Sequence, residues 1–147
     1  MIYADNAATT QLDTEAFEAM KPFLIGSYAN PSQPYGFSRE SKQAIKASRE
    51  AIASCIGADP EEVVFTSGGT ESDNWAIKMG GANTKTVATT VIEHHAILNS
   101  CKALERVGRK VIYAPVDTAG LVDLEWMNAN IDGNTRLVSV IFANNEI

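Results

Sequence analysis

The chain has 147 residues, the size of one ordinary domain, and that length is enough to bury a real core. Apolar residues make up 45% of it and charged residues 20%, the balance of a soluble globular protein. A formal charge of −6 argues against a general nucleic-acid binder, which needs a basic patch to meet phosphates.

The first residues, Met1 to Asp5, show neither the basic nor the apolar stretch of a signal peptide. No apolar run approaches the roughly 20 residues that a membrane helix requires. Cys55 and Cys101 form no C-x-x-C pair and sit on apolar positions of helical patterns. Both are expected as buried, reduced thiols of a cytoplasmic protein.

Phe17, Met20 and Leu24 recur at helical spacing, which predicts a helix over residues 14–25 capped by Asp13 or Thr14. Asn30-Pro31 and Pro34-Tyr35-Gly36 then mark a loop over residues 28–36. A longer helix is predicted over 38–55, with Ala44, Ile45, Ala51, Ile52 and Cys55 on its inward stripe and Gly57 as its stop. Residues 63–66, Val-Val-Phe-Thr, form a β-branched and aromatic run that predicts a short buried strand.

A helix follows from about residue 71 to 79. Further strands are expected at 86–92, 110–114 and 136–143, with helices at 96–107 and 124–131 between them. Strands separated by helices imply α/β architecture with a largely parallel sheet. The strand run 137–142 is the most hydrophobic in the chain, and only a few residues follow it. Functional groups of such sheets gather just beyond strand C-termini, so the chain is expected to be truncated.

Three strand ends carry chemistry. At Thr66-Ser67-Gly68-Gly69-Thr70-Glu71 a strand passes through a small turn straight into a helix. Thr70 and Asp73 fit a capping box. Free amides at the helix start, with two glycines in front, would admit one phosphate group. The turn lacks both the P-loop and the dinucleotide spacing, and an ordinary capped turn is the alternative.

Glu93-His94-His95 closes the next strand. Adjacent side chains point different ways, and no further ligands stand at metal spacing, so no metal site is expected. A helix cap or a solvent-facing ring is the plain alternative for such a histidine. Asn144-Asn145-Glu146 closes the last strand, where an asparagine can donate to an anionic ligand or simply make a turn.

Taken with Asp5-Asn6-Ala7-Ala8-Thr9-Thr10 and Asn30-Pro31-Ser32, these motifs resemble the class V aminotransferase-like family, and within it the cysteine desulfurases. The resemblance runs the length of the chain in order. It implies the first half of the large domain of a fold type I pyridoxal-phosphate enzyme, with residues 1–13 as an N-terminal arm and 14–147 as the N-terminal half of the cofactor-binding domain. It implies pyridoxal 5'-phosphate as cofactor, its phosphate on Gly69 and Thr70. His94 would stack on the ring as the catalytic residue, and Asn145 would approach the phenolic oxygen. Tyr35 stands where the family usually has a histidine, and Ser38 where glycine is common.

The family's Schiff-base lysine, its aspartate for the ring nitrogen, its substrate arginine and its persulfide cysteine have no match here. The resemblance thus implies a parent enzyme that converts L-cysteine to L-alanine and passes sulfur on as a persulfide, for iron–sulfur cluster or thiocofactor assembly. Its partners would be a second copy or a complementary half, and a sulfur-acceptor protein. A class V aminotransferase or selenocysteine lyase is the first alternative; a catalytically inert folded fragment is the second.

Overall fold

A computed structural model of the chain describes residues 2–80, 85–144 and 146. The chain falls into two compact units, Met1–Phe65 and Thr66–Ile147.

In the first unit, helix α1 covers Thr14–Ile25. It starts at Asp13, whose Oδ1 accepts the N–H groups of Glu15 and Ala16 at 2.8 and 3.0 Å, two of the donors a helix start leaves orphaned. It ends where the Pro22 carbonyl accepts from both Gly26 and Ser27. The loop that follows is organised by Ser38, whose buried hydroxyl lies 2.7 Å from the carbonyl oxygens of both Gln33 and Tyr35. The serine at this position thus fastens the loop, a contact that glycine cannot make.

Helix α2, Arg39–Ile56, stops at Gly57 in the left-handed conformation, φ 67°, the backbone state for which glycine is suited. Its inward face is Ser41 and Ala53. The predicted stripe is only partly covered: Ala44 is half-buried, whereas Ile45, Ile52 and Cys55 are exposed. Cys55 therefore departs from its expected burial: two residues past Ala53, it points away from the face that Ala53 buries.

The expected strand at 63–66 does not form. Val63 is extended, but residues 63–66 join no ladder. A strand exists only through a partner, and these residues are held instead by Arg49. Its Nε donates to the Val63 carbonyl at 3.1 Å and its guanidinium lies 5.2 Å from the centre of the Phe65 ring.

The second unit holds the sheet. Helix α3 spans Gly69–Gly80, β1 Thr86–Thr90, α4 His95–Arg106, β2 Val111–Ala114, α5 Leu124–Asn130 and β3 Thr135–Val138. The strand order is β2-β1-β3, all parallel. β1 is central and buried along its whole length, which explains its run of Thr, Val and Ala without polar alternation. Val87 pairs with Val111 on one side and Leu137 on the other.

Ile77, Val87, Ile97, Cys101 and Leu104 make the core, with Val111, Tyr113 and Leu137 packed against it. α3 comes close to β3 through Gly80, where a Cβ would stand 2.6 Å from the Cβ of Leu137. β3 is shorter than its apolar run: pairing ends at Val138, with a last bond from Ser139 N–H to the Ala88 carbonyl.

Candidate functional site

Connections from β1 lead to β2 on one side while β3 lies on the other. The carboxyl ends of β1 and β3 therefore flank the point where the strand order reverses, the crevice in which α/β sheets bind ligands. Two sequence motifs end there.

The first is the turn from β1 into α4. His94 is the N-cap of α4, its Nδ1 accepting the Ala96 N–H at 3.1 Å. A nitrogen that accepts must offer a lone pair, so the neutral ring carries its proton on Nε2. The cap thereby fixes the ring and leaves its proton-bearing edge free. The two readings of His94, cap and ligand group, are compatible. His95 opens α4, its ring centre 6.4 Å from that of His94 and tilted by 54°.

Glu93, the residue before His94, is 6% exposed. Its Oε1 accepts the Thr90 hydroxyl at 2.8 Å and the Ile141 N–H at 2.7 Å. Sequence reasoning passed over it as part of a strand-end motif; a lone acidic residue inside an otherwise apolar strand end was the available signal.

The second is the segment after β3. Asn144 donates from Nδ2 to the Ile92 carbonyl at 2.7 Å, and its Oδ1 accepts the Glu146 N–H at 2.7 Å. Its amide is thus spent on the β1 turn. Asn145, the residue that the resemblance assigns to the cofactor, lies outside the described residues.

The glycine turn leads into α3. The carboxyl that closes this helix start is Glu71, not Asp73: its Oε2 accepts both the N–H and the hydroxyl of Ser67, at 2.7 and 2.6 Å. These bonds, the hydroxyl first, hold the Glu71 carboxyl below its ordinary pKa. The helix begins at Gly69, two residues earlier than the predicted start, so Thr70 sits inside its first turn, where Asn74 Nδ2 donates to its carbonyl at 2.8 Å.

Neither Gly68 nor Gly69 has a positive φ. What these glycines provide is open space, since a Cβ on either would meet nothing within 4 Å. Among the described residues, the amides of Gly68, Gly69 and Thr70 have no acceptor. A row of unpaired amides with free approach at a helix start suits a phosphate.

Thr70 and His94 line one cleft of about 380 Å³, together with Asn74, Lys78, His95 and Asn99. Of the glycine turn, Thr70 thus lines the same cleft as the imidazole, while Gly68 and Gly69 do not line it. A larger cleft of about 960 Å³ lies in the first unit, lined by Met20, Phe23, Ile45 and Phe65 among others. It is apolar and carries none of these groups.

Cys101 is fully buried, and burial, then the carboxylates of Glu105 and Glu93, push its thiol up to about 11. A protonated, covered thiol is a poor nucleophile. Among the described residues no cluster of three or more His, Cys, Asp or Glu could hold a metal ion. No helix among them is long and apolar enough to cross a membrane.

The chain is 46% identical over 150 residues to a cysteine desulfurase IscS of Dictyoglomus turgidum, an alignment that takes in 99% of this chain and 38% of that relative. Among solved structures it resembles a NifS-like protein, with a TM-score of 0.89 and 39% identity over 97% of this chain and 40% of that one. It also resembles SspA in complex with cysteine, with a TM-score of 0.89 and 36% identity over 99% of this chain and 43% of that one. The chain thus spans about two-fifths of the length of the relatives it matches. The α/β architecture with its parallel sheet is that of part of a fold type I pyridoxal-phosphate enzyme. With the model for aminotransferase class-V matching residues 2–147, the chain belongs to the class-V aminotransferase family.

Proposed function

We propose that this chain forms one part of the cofactor site of a cysteine desulfurase, a pyridoxal-phosphate enzyme that takes L-cysteine to L-alanine and keeps the sulfur as an enzyme persulfide. The carrying observation is that Thr70 and His94 share one cleft while the segment after β3 is bonded to the turn that presents His94. Support comes from relatives of that name that match 99% of this chain.

The amides of Gly69 and Thr70 would hold the phosphate, His94 would cover one face of the ring, and Asn145 would meet the phenolic oxygen. Bound there, pyridoxal phosphate supplies an electron sink that acidifies the substrate's α-carbon. The chain's own contributions are binding and orientation. The turn amides neutralise and fix the anion. His94, pinned through Nδ1, presents Nε2–H as a proton donor at a fixed place.

Neither cysteine here suits the persulfide role: Cys101 is buried with a raised pKa, and Cys55 lies within α2 rather than on a loop. Residues 14–147 are read as the N-terminal half of the cofactor-binding domain and 1–13 as an arm. The complete enzyme is read as a cytoplasmic homodimer that hands sulfur to an acceptor protein.

The test is turnover by the complete gene product with pyridoxal phosphate. Alanine and persulfide sulfur appearing in equal amounts from L-cysteine support the reading. Amino-group transfer without sulfur release would assign an aminotransferase, and turnover confined to selenocysteine a lyase. The chain as it stands should be inert. Incubated with the cofactor and then borohydride, it should show no stoichiometric label on any lysine by mass spectrometry.

A further inference from the structure

Glu93 is a buried carboxyl to which the reading above gives no role of its own. Burying such a group where an apolar side chain would fill the space is costly unless its oxygens find donors. Both donors at its Oε1 are specific. Thr90 is the last residue of β1, and Ile141 is 48 positions on, beyond the end of β3.

The ladder between these strands closes with the bond from Ser139 N–H to the Ala88 carbonyl. Past it β1 turns away toward α4, so the Ile141 N–H has no strand neighbour. The Glu93 carboxyl takes the place of the missing strand. Asn144 makes a second stitch to the Ile92 carbonyl. Residues 141–144 are thereby tied at both ends to residues 92 and 93, directly ahead of His94.

Resting on the reading of the site given above, we propose that Glu93 is a positioning residue for the cofactor. Its buried Oε1 sets the spacing between the loop that carries Ile141 and Asn144 and the turn that carries His94. Glu93 touches neither cofactor nor substrate in this role; it acts through the loop. A glutamine keeps an acceptor oxygen at the same reach and preserves the clasp. Alanine removes it and leaves the half-buried Ile141 amide and the buried Thr90 hydroxyl without their acceptor.

The experiment uses the complete gene product with pyridoxal phosphate as the probe. It compares wild type, Glu93→Gln, Glu93→Ala and, as a control on the site, His94→Ala. Three quantities are read: cofactor dissociation constant, pH midpoint of the cofactor's visible absorbance, and hydrogen exchange at the Ile141 amide. For Glu93→Ala we expect Ile141 protection and cofactor affinity each to fall about tenfold or more. The absorbance midpoint should move by about half a pH unit or more, since the loop tied to the His94 turn, and the turn with it, has shifted against the cofactor. Glu93→Gln should restore most of all three.

A folded Glu93→Ala protein with lost Ile141 protection but unchanged affinity and midpoint would overturn the proposal and leave Glu93 a purely structural residue. If Glu93→Ala fails to fold, Glu93→Asp decides, because it keeps the carboxyl and withdraws it by one methylene. It must shift the midpoint in the same direction, and an unchanged midpoint overturns the proposal. Failure of the underlying reading looks different: wild type then takes up no cofactor, or His94→Ala leaves its spectrum unaltered.

Discussion

The two units of this chain carry comparable amphipathic patterns and put them to different use. In Thr66–Ile147 the inward residues of α3, β1 and α4 meet one another, and Ile77, Val87 and Cys101 are fully buried. In Met1–Phe65 helix α1 buries none of its residues, and Phe17, Met20 and Leu24 stay exposed on the face that their spacing marks as inward. The open apolar cleft beside Met20, Phe23 and Ile45 belongs to this unit. Periodicity thus states which face of a helix is to be covered. Whether anything covers it is decided by residues elsewhere.

The comparison is broken most directly by truncation in each unit. Ile77→Ala should cost about 2–5 kcal/mol, as large-to-small changes in a closed core do. Leu24→Ala should stay within about 0.5 kcal/mol, as surface substitutions do. Urea melts of the two variants give both numbers, and equal costs would show that the first unit has a core after all. A second pair repeats the contrast with an added methyl. Gly80→Ala drives a Cβ to 2.6 Å from that of Leu137 and should cost about 1–3 kcal/mol. Gly36→Ala meets nothing within 4 Å and should be close to neutral.

The thiols sharpen the same difference. At pH 8 a thiol with a pKa of about 11 is ionised in only about one molecule in a thousand, and Cys101 is covered as well. A maleimide should label Cys55 in the folded chain and reach Cys101 only on unfolding. Equal labelling would show the second unit open.

The raised pKa has a consequence for alkaline stability. The folded state holds the Cys101 proton more tightly than the unfolded one, whose thiol titrates near 9. Its contribution is complete below about pH 9 and lost as pH rises through about 11. Tyr113, pushed up to about 12 by burial and then by Glu105, adds a loss between about 10 and 12. Melting temperature should therefore fall above pH 9, and Cys101→Ala should flatten the first part of that slope whatever it does to the absolute value.

What the sequence made legible follows the same line. Helices with a cap and a stop were readable to within a residue or two: Asp13 and Gly57 bound α1 and α2 through side-chain or backbone states that local chemistry alone dictates. The run at 63–66 has strand composition yet no partner, and strand formation is a property of two segments. Cys55 was misplaced for the related reason that its stripe has no cover.

At the candidate site, Thr70 and His94 could be singled out from the sequence because glycines, caps and strand ends leave local marks, and the structure sets both on one cleft. Glu93 could not be, because its meaning lies in Ile141, 48 residues away. The capping carboxyl was also assigned wrongly. Thr70 and Asp73 have the right spacing, but the helix starts two residues earlier, and that shift passes the role to Glu71.

That reassignment supplies the smallest expected effect. Glu71 Oε2 takes two bonds from Ser67, and its pKa is depressed by them. A depressed carboxyl contributes stability above its ordinary pKa and loses it as pH falls through the folded value. The carboxyl is fully exposed, so solvent screens the effect and the helix start, rather than the whole unit, should feel it.

In Glu71→Gln the amide oxygen can still accept from Ser67, but without the charge that makes such bonds strong or favours a helix N-terminus. The Ser67 amide should exchange faster in the variant than in wild type at pH 7. The gap should close as pH falls below the ordinary glutamate range, where the wild-type carboxyl is itself being protonated. Asp73→Asn, in contrast, should leave Ser67 unchanged at every pH. If Asp73→Asn rather than Glu71→Gln released the Ser67 amide, the helix would start where the sequence spacing placed it. The turn amides offered to the anion would then be differently arranged.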